Sequence, residues 1–307
     1  MKFTIYQESR SGQRPDNQDR VAYAYSHDAL LMVVADGMGG HLHGEVAAQI
    51  AVQFIVEAFQ RQAKPTLNDP LLFLSGALID AHHAILSYAA DRLLPDAPRT
   101  TCVACIVQNS AAYWAHVGDS RLYALRGGRI LARTRDHSRV AQMIDEGLIT
   151  EEEAARHPAR NRIFSCLGGA EMPHIDFSEK TRLMSGDVLA LCSDGLWGPL
   201  NDNIITRAMS SGNVMQAVPA LMNQAELRGG ENADNLSIIA VRWDDTYMGT
   251  TLGGVSTETM PLDVFTTQME GFSKTHEGGH PPPNLTEEEI ERAIQEINEA
   301  IRKFSPR

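Results

Sequence analysis

The chain has 307 residues, 43% hydrophobic and 21% charged, the balance of a folded domain with apolar mass for one large core and an appendage. A formal net charge of −12 and a pI near 5.4 repel polyanions, which argues against nucleic acid as a partner. The first residues lack an apolar stretch of signal-peptide length and no later run reads as a bilayer span, so the expectation is a cytoplasmic protein without a membrane contact.

In chain order, β-branched and apolar runs bounded by Gly, Asp and Asn predict strands at Phe3 to Tyr6, Val21 to Tyr25 and Leu30 to Ala35. Apolar residues at i, i+3, i+4 and i+7 predict helices over Gly44 to Gln62 and Leu71 to Leu93. Strands follow at Thr101 to Val107, Ala111 to Val117 and Arg121 to Leu125. Turns at Gly118-Asp119 and Gly127-Gly128 leave no room for helical crossovers, so these strands form antiparallel hairpins. Cys102 and Cys105 form a C-x-x-C without a second cysteine pair at ligand spacing; a buried strand suits them better than a zinc or redox site.

Ser138 to Gly169 has a different texture, with short helical patterns at Val140 to Glu146 and Thr150 to His157, and reads as a flap over about 138–169. Strands at Val188 to Cys192 and Leu236 to Val241 enclose a weaker helix, Asn213 to Leu227. The expected class is α+β, with stacked antiparallel sheets and outer helices. Residues 244–284 are too poor in large apolar side chains to offset the entropy of ordering and read as a flexible linker. Beyond it, a Thr286/Glu289 capping box opens an amphipathic helix over 285–304, carried by Ile290, Ile294, Ile297, Ile301 and Phe304. That helix would dock on its own domain, on a second copy or on a partner protein.

Acids stand at the ends of the most apolar strands: Asp36 after Val33-Val34-Ala35, Asp119 after His116-Val117-Gly118, and Asp194 after Leu191-Cys192-Ser193. Asp234 enters the last strand in the mirror sense. One such Asp is usually a turn residue. Four at buried strand ends repel one another, and a divalent cation is their natural partner. Oxygen donors without a histidine at ligand spacing favour Mg²⁺ or Mn²⁺ over zinc. Gly37 lets its carbonyl approach an ion, and Arg14 is a guanidinium of the kind that binds phosphate oxygens in pairs.

These residues resemble the PPM-type metal-dependent protein serine/threonine phosphatases, the protein phosphatase 2C group, in their bacterial form. The resemblance rests on Arg14-Pro15-Asp16-Asn17-Gln18-Asp19, Ala35-Asp36-Gly37-Met38-Gly39-Gly40-His41 with Gly44-Glu45, and Thr100-Thr101. It continues through His116-Val117-Gly118-Asp119-Ser120-Arg121, Thr134-Arg135-Asp136-His137-Ser138, Ser193-Asp194-Gly195 and Asp234-Asn235. It covers residues 1–243, which it implies to be a catalytic domain folded as a four-layer α-β-β-α sandwich.

The resemblance implies two Mn²⁺ or Mg²⁺ ions and a third, weaker one. Asp36 would bridge the pair, the Gly37 carbonyl would bind the first, Asp194 and Asp234 the second, and Asp119 with Asp194 the third. Arg14 would hold the substrate phosphate, and Gln18 and Asp19 would orient waters. Phosphoserine and phosphothreonine on proteins would be hydrolysed by a hydroxide shared between the ions, without a covalent phosphoenzyme, in partnership with a cognate serine/threonine kinase. The alternative is a non-catalytic regulator of the same fold that binds phosphoproteins or a kinase.

Three residues depart from the pattern. Met38 replaces a histidine proposed elsewhere as general acid, leaving His41 and His43 as nearby substitutes. Gln18 stands at a position that is often glutamate, and Arg99 at one that is often glycine.

Overall fold

The computed structural model describes residues 1–38, 43–154, 156–210 and 212–244, with the backbone of 268–270. By compactness the chain divides into Met1–Gly271 and Phe272–Arg307. The second unit, and with it the expected C-terminal helix, lies outside the described residues, as does most of the expected linker.

The first unit is built on two antiparallel sheets. One runs β1 (Phe3–Arg10), β11 (Leu236–Trp243), β10 (Val188–Cys192), β6 (Arg121–Arg126), β7 (Arg129–Arg133). The other runs β12 (Gln268–Glu270), β2 (Asp19–Tyr25), β3 (Ala29–Asp36), β4 (Cys102–Gln108), β5 (Ala111–Val117), β8 (Asp176–Phe177), with β9 (Thr181–Arg182) also on β5. Alternation along each strand assigns its two faces to two different cores. In β10, Leu189 and Leu191 pack with Met32, Val34, Val103 and Trp243 between the sheets. Val188, Ala190 and Cys192 face the other way, into α6 (Asp202–Met209) and α7 (Val214–Gly229). On the far side, α1 (Gly44–Gln62) lies on β2 and β3, and α2 (Pro70–Asp91) lies on α1 and β5. The four-layer expectation therefore holds.

The helix α2 is long and apolar enough to cross a bilayer by length and composition alone, contrary to the expectation that no run would be. Within the unit its apolar face instead packs on α1 and β5, with Leu74, Leu78, Ala81 and Ile85 buried. Cys102 and Cys105 are fully buried free thiols in β4, as the strand reading required. Burial raises both thiol pKa values, Cys102 to about 12.

Register decides where the acids go. Asp19 opposes Asp36 across β2 and β3, Cys192 opposes Ile238 across β10 and β11, and the Ser193 N–H donates to the Ser237 carbonyl. Strand ends carrying Asp19, Asp36, Asp194 and Asp234 thus collect at one end of the sandwich. Two inserted helices, α3 (Arg139–Asp145) and α4 (Glu151–Ala154), belong to the expected flap. They are capped by Ser138 and by a Thr150/Glu153 capping box.

Candidate metal centre

Asp36 ends β3, and its backbone is tied at both polar atoms: its carbonyl accepts from Thr101 N–H at 2.9 Å and Thr100 Oγ1 at 2.8 Å, and its N–H reaches Thr101 Oγ1 at 3.3 Å. Gly37 follows with its N–H on the Gln18 carbonyl at 3.2 Å. A Cβ on Gly37 would stand 2.5 Å from Gly44 backbone and 2.8 Å from the Gln18 carbonyl oxygen, so the site admits glycine alone without a backbone shift. Asp194 opens the short helix α5 (Asp194–Trp197). Gly195 behind it is packed just as closely, its Cβ position 2.0 Å from the Asn235 carbonyl oxygen. Asn235 pins the connection between β1 and β2, accepting from Gln18 N–H and donating to the carbonyls of Ser11 and Asp16.

The carboxylates crowd together and repel one another. Burial first, then Asp19, Asp194, Asp119 and Asp234, hold Asp36 well above the usual carboxylate range. Burial and Asp194 raise Asp119 in the same way. Asp194 is pushed up to about 6 by burial and Asp234, against a hydrogen bond with Asp36. Asp19 has no exposed surface and is likewise pushed up to about 6 by burial, although Ser193 Oγ donates to its Oδ2 at 2.7 Å. Its other oxygen, Oδ1, is buried without a hydrogen-bond partner. Arg14 is spent on one acid: Nε and Nη2 donate to the two oxygens of Asp234 at 2.9 and 2.8 Å. Convergent acids, an orphaned carboxylate oxygen and an all-oxygen donor set fit a hard divalent cation.

Every site residue read from the sequence, Arg14, Gln18, Asp19, Asp36, Gly37, Asp119, Asp194 and Asp234, belongs to this end of the molecule. Of the departures, His41 lies outside the described residues. His43 precedes α1, and its Nδ1 lies 3.6 Å from Glu45 Oε1. Arg99 now has a place: its carbonyl accepts from Met38 N–H at 3.0 Å and its side chain pairs with Asp96.

Sequence reading missed a second cluster, His116, His137 and Asp176, whose ligand-type atoms lie within 4.8 Å of one another. Its polarity does not suit a metal. His137 Nδ1 accepts from Gly118 N–H at 3.2 Å, which leaves the ring's one proton on Nε2, and His116 Nε2 contacts the Arg135 carbonyl at 2.7 Å. The His137 Nε2–H faces Asp176 Oδ2 at 3.3 Å instead.

The sequence pattern described as Protein phosphatase 2C matches residues 7–226. The chain belongs to the protein phosphatase 2C family. Among relatives of this phosphatase 2C chain, "Serine/threonine protein phosphatase PstP" of Mycobacterium tuberculosis is 34% identical over 78% of the chain and 44% of that protein. The match thus spans less than half of the mycobacterial protein's length. "Serine/threonine phosphatase stp" of Listeria monocytogenes is 31% identical over 71% of the chain and 86% of that protein. Among solved structures, Stp1 from Staphylococcus aureus superposes with a TM-score of 0.73 at 30% identity, over 79% of this chain and 96% of that one. The catalytic domain of PstP "in complex with 2 Manganese ions" superposes at 0.68 and 30% identity, over 79% and 99%.

Proposed function

We propose that the chain is a metal-dependent phosphatase that hydrolyses phosphoserine and phosphothreonine on proteins by direct transfer of the phosphoryl group to water, releasing phosphate and the free hydroxyl. The observation that carries this reading is the convergence of Asp19, Asp36, Asp119, Asp194 and Asp234 beside one exposed guanidinium, Arg14. Asp36 and the Gly37 carbonyl would hold a first divalent ion, Asp36 with Asp194 and Asp234 a second, and Asp119 with Asp194 a third. Bound Mn²⁺ or Mg²⁺ supplies an activated water at neutral pH.

The chain's own residues do the rest. Arg14 has the fork geometry to bind two phosphoryl oxygens and to take up charge that grows on them. Asp19 Oδ1 is a fixed acceptor for a water, and the backbone of Gln18 keeps the Gly37 peptide in register with Asn235. Met38 carries no proton for the leaving group. Phosphoproteins are the proposed substrates and a serine/threonine kinase the proposed counterpart. Four free thiols suit a reducing, cytoplasmic compartment.

Phosphate release from a phosphothreonine peptide, measured with Mn²⁺, with Mg²⁺ and with excess chelator, tests the reading. Release should require the metal and fall at least about a hundredfold in Asp36→Asn and Asp194→Asn. Folded, Mn²⁺-binding protein that releases no phosphate would favour the non-catalytic regulator.

A further inference from the structure

One motif is not used by this chemistry: Thr134-Arg135-Asp136-His137-Ser138. Each of its first four residues bonds to the segment His116–Leu122, which carries Asp119. Thr134 N–H donates to the Leu122 carbonyl at 3.1 Å, and Thr134 Oγ1 accepts from Leu122 N–H at 3.0 Å. The Arg135 carbonyl meets His116 Nε2, and the two carboxylate oxygens of Asp136 accept from Arg121 Nε and Nη2 at 2.8 and 2.7 Å. His137 closes on the peptide before the acid. Its N–H donates to the Gly118 carbonyl at 2.9 Å, and its Nδ1 accepts from the Gly118 N–H at 3.2 Å.

That residue needs holding. Gly118 sits at φ +98°, and a Cβ there would stand 2.6 Å from the Thr101 side chain, so only glycine fits. With no side chain to pack, its orientation is set by hydrogen bonds to its two peptide groups, and His137 supplies both. Asp119 comes next, nearly fully buried and repelled by Asp194, so a loose peptide would let it turn away. Trp197 Nε1, bonded to the Asp119 carbonyl at 3.0 Å, and Thr101 Oγ1, bonded to Ser120, secure the far side.

We propose that His137 is a positioning residue: its Nδ1 lone pair fixes the Gly118 peptide and thereby aims the Asp119 carboxylate into the cation site. The proposal rests on the reading of Asp119 as a cation ligand. The ring must be neutral for this role. Burial, with His116 alongside, pushes it down to about 4, and it is held between His116 at 4.6 Å and Phe164 at 5.4 Å.

The test uses the full chain with Mn²⁺ titrated and free ion counted by electron paramagnetic resonance, in wild type, Asp119→Asn, His137→Phe and His137→Asn. Asparagine can place its Oδ1 where Nδ1 stood; phenylalanine keeps the stacked ring without an acceptor. The Asp119-dependent, weaker Mn²⁺ should lose tenfold or more in affinity in His137→Phe and no more than about threefold in His137→Asn, with the tighter ions unchanged. Exchange of the Gly118 amide hydrogen should quicken in His137→Phe and not in His137→Asn. If His137→Phe does not fold, His137→Gln, whose acceptor is one bond too far out, takes its place with the same expected loss. Weak-site affinity in His137→Phe equal to wild type, or a loss in His137→Asn as large as in His137→Phe, overturns the proposal. An Asp119→Asn protein that binds every Mn²⁺ as wild type does overturns instead the assignment of Asp119.

Discussion

At Gly37 a methyl group would meet the Gly44 backbone. Gly37→Ala should therefore cost about 1–3 kcal/mol by overpacking and, under the proposed role of the Gly37 carbonyl, also weaken Mn²⁺ binding, since its peptide must move. Denaturant unfolding and Mn²⁺ titration measure the two effects. Asp19 makes a pH prediction. Its folded value of about 6 lies above the unfolded one, so the folded state keeps a proton that the unfolded chain has lost. Stability without bound cation then falls as pH rises from about 4 to about 6, and the penalty, on the order of 3 kcal/mol for this group, is complete above that. Asp194 has the same sign. A cation relieves the penalty, so the gain in Tm on adding Mn²⁺ should be several degrees larger at pH 7.5 than at pH 5. Equal gains at both would contradict it. Strand-end acids were legible in the sequence because apolar runs point at them. The hydrogen bonds of the Gln18 carbonyl to Gly37 and of His137 to Gly118 were not, because they join backbone of segments distant in sequence, and pattern carries no trace of such a bond.

Among the elements, the long ones announce themselves and the short ones do not. Predicted and observed limits coincide for α1, where periodicity runs over nineteen residues, and for β5 and β10, apolar runs bounded by turn residues on either side. The sequence reading passed over α5 and α6, of four and eight residues, which offer too few turns to display a stripe. Asn201 was the available signal for α6, since its side chain accepts from Ile204 N–H. Likewise β8 and β9, two residues each, exist because β5 offers an edge. At the start of α2, Asp69 Oδ1 accepts from both Leu71 and Leu72 N–H, and Pro70 occupies the first turn. Asp69→Ala should cost about 1 kcal/mol, or about 2–4 °C in Tm, while leaving Mn²⁺ affinity unchanged. A change in metal affinity would mean that α2 reaches the site by a route not visible in its contacts.

At the scale of the molecule, the core between the sheets and the core under α6 and α7 are furnished by residues up to Trp243. A chain ended after Asp244 should unfold cooperatively and bind Mn²⁺ like the full one; a broad, non-cooperative transition on calorimetry would show that later residues are needed for the fold. The sandwich was readable in advance because tight turns dictate antiparallel pairing. The convergence of its acids depended on a register that no local pattern encodes.

One pairing at the mouth of the site has a thermodynamic side. Arg14 gives two donors to Asp234, and under the proposed roles one of these partners is wanted by a cation and the other by a phosphate. A cation that draws Asp234 away releases the guanidinium, and a phosphate that engages the guanidinium releases Asp234. Each ligand therefore removes a competitor of the other, and by reciprocity the factor by which Mn²⁺ tightens phosphate must equal the factor by which phosphate tightens Mn²⁺.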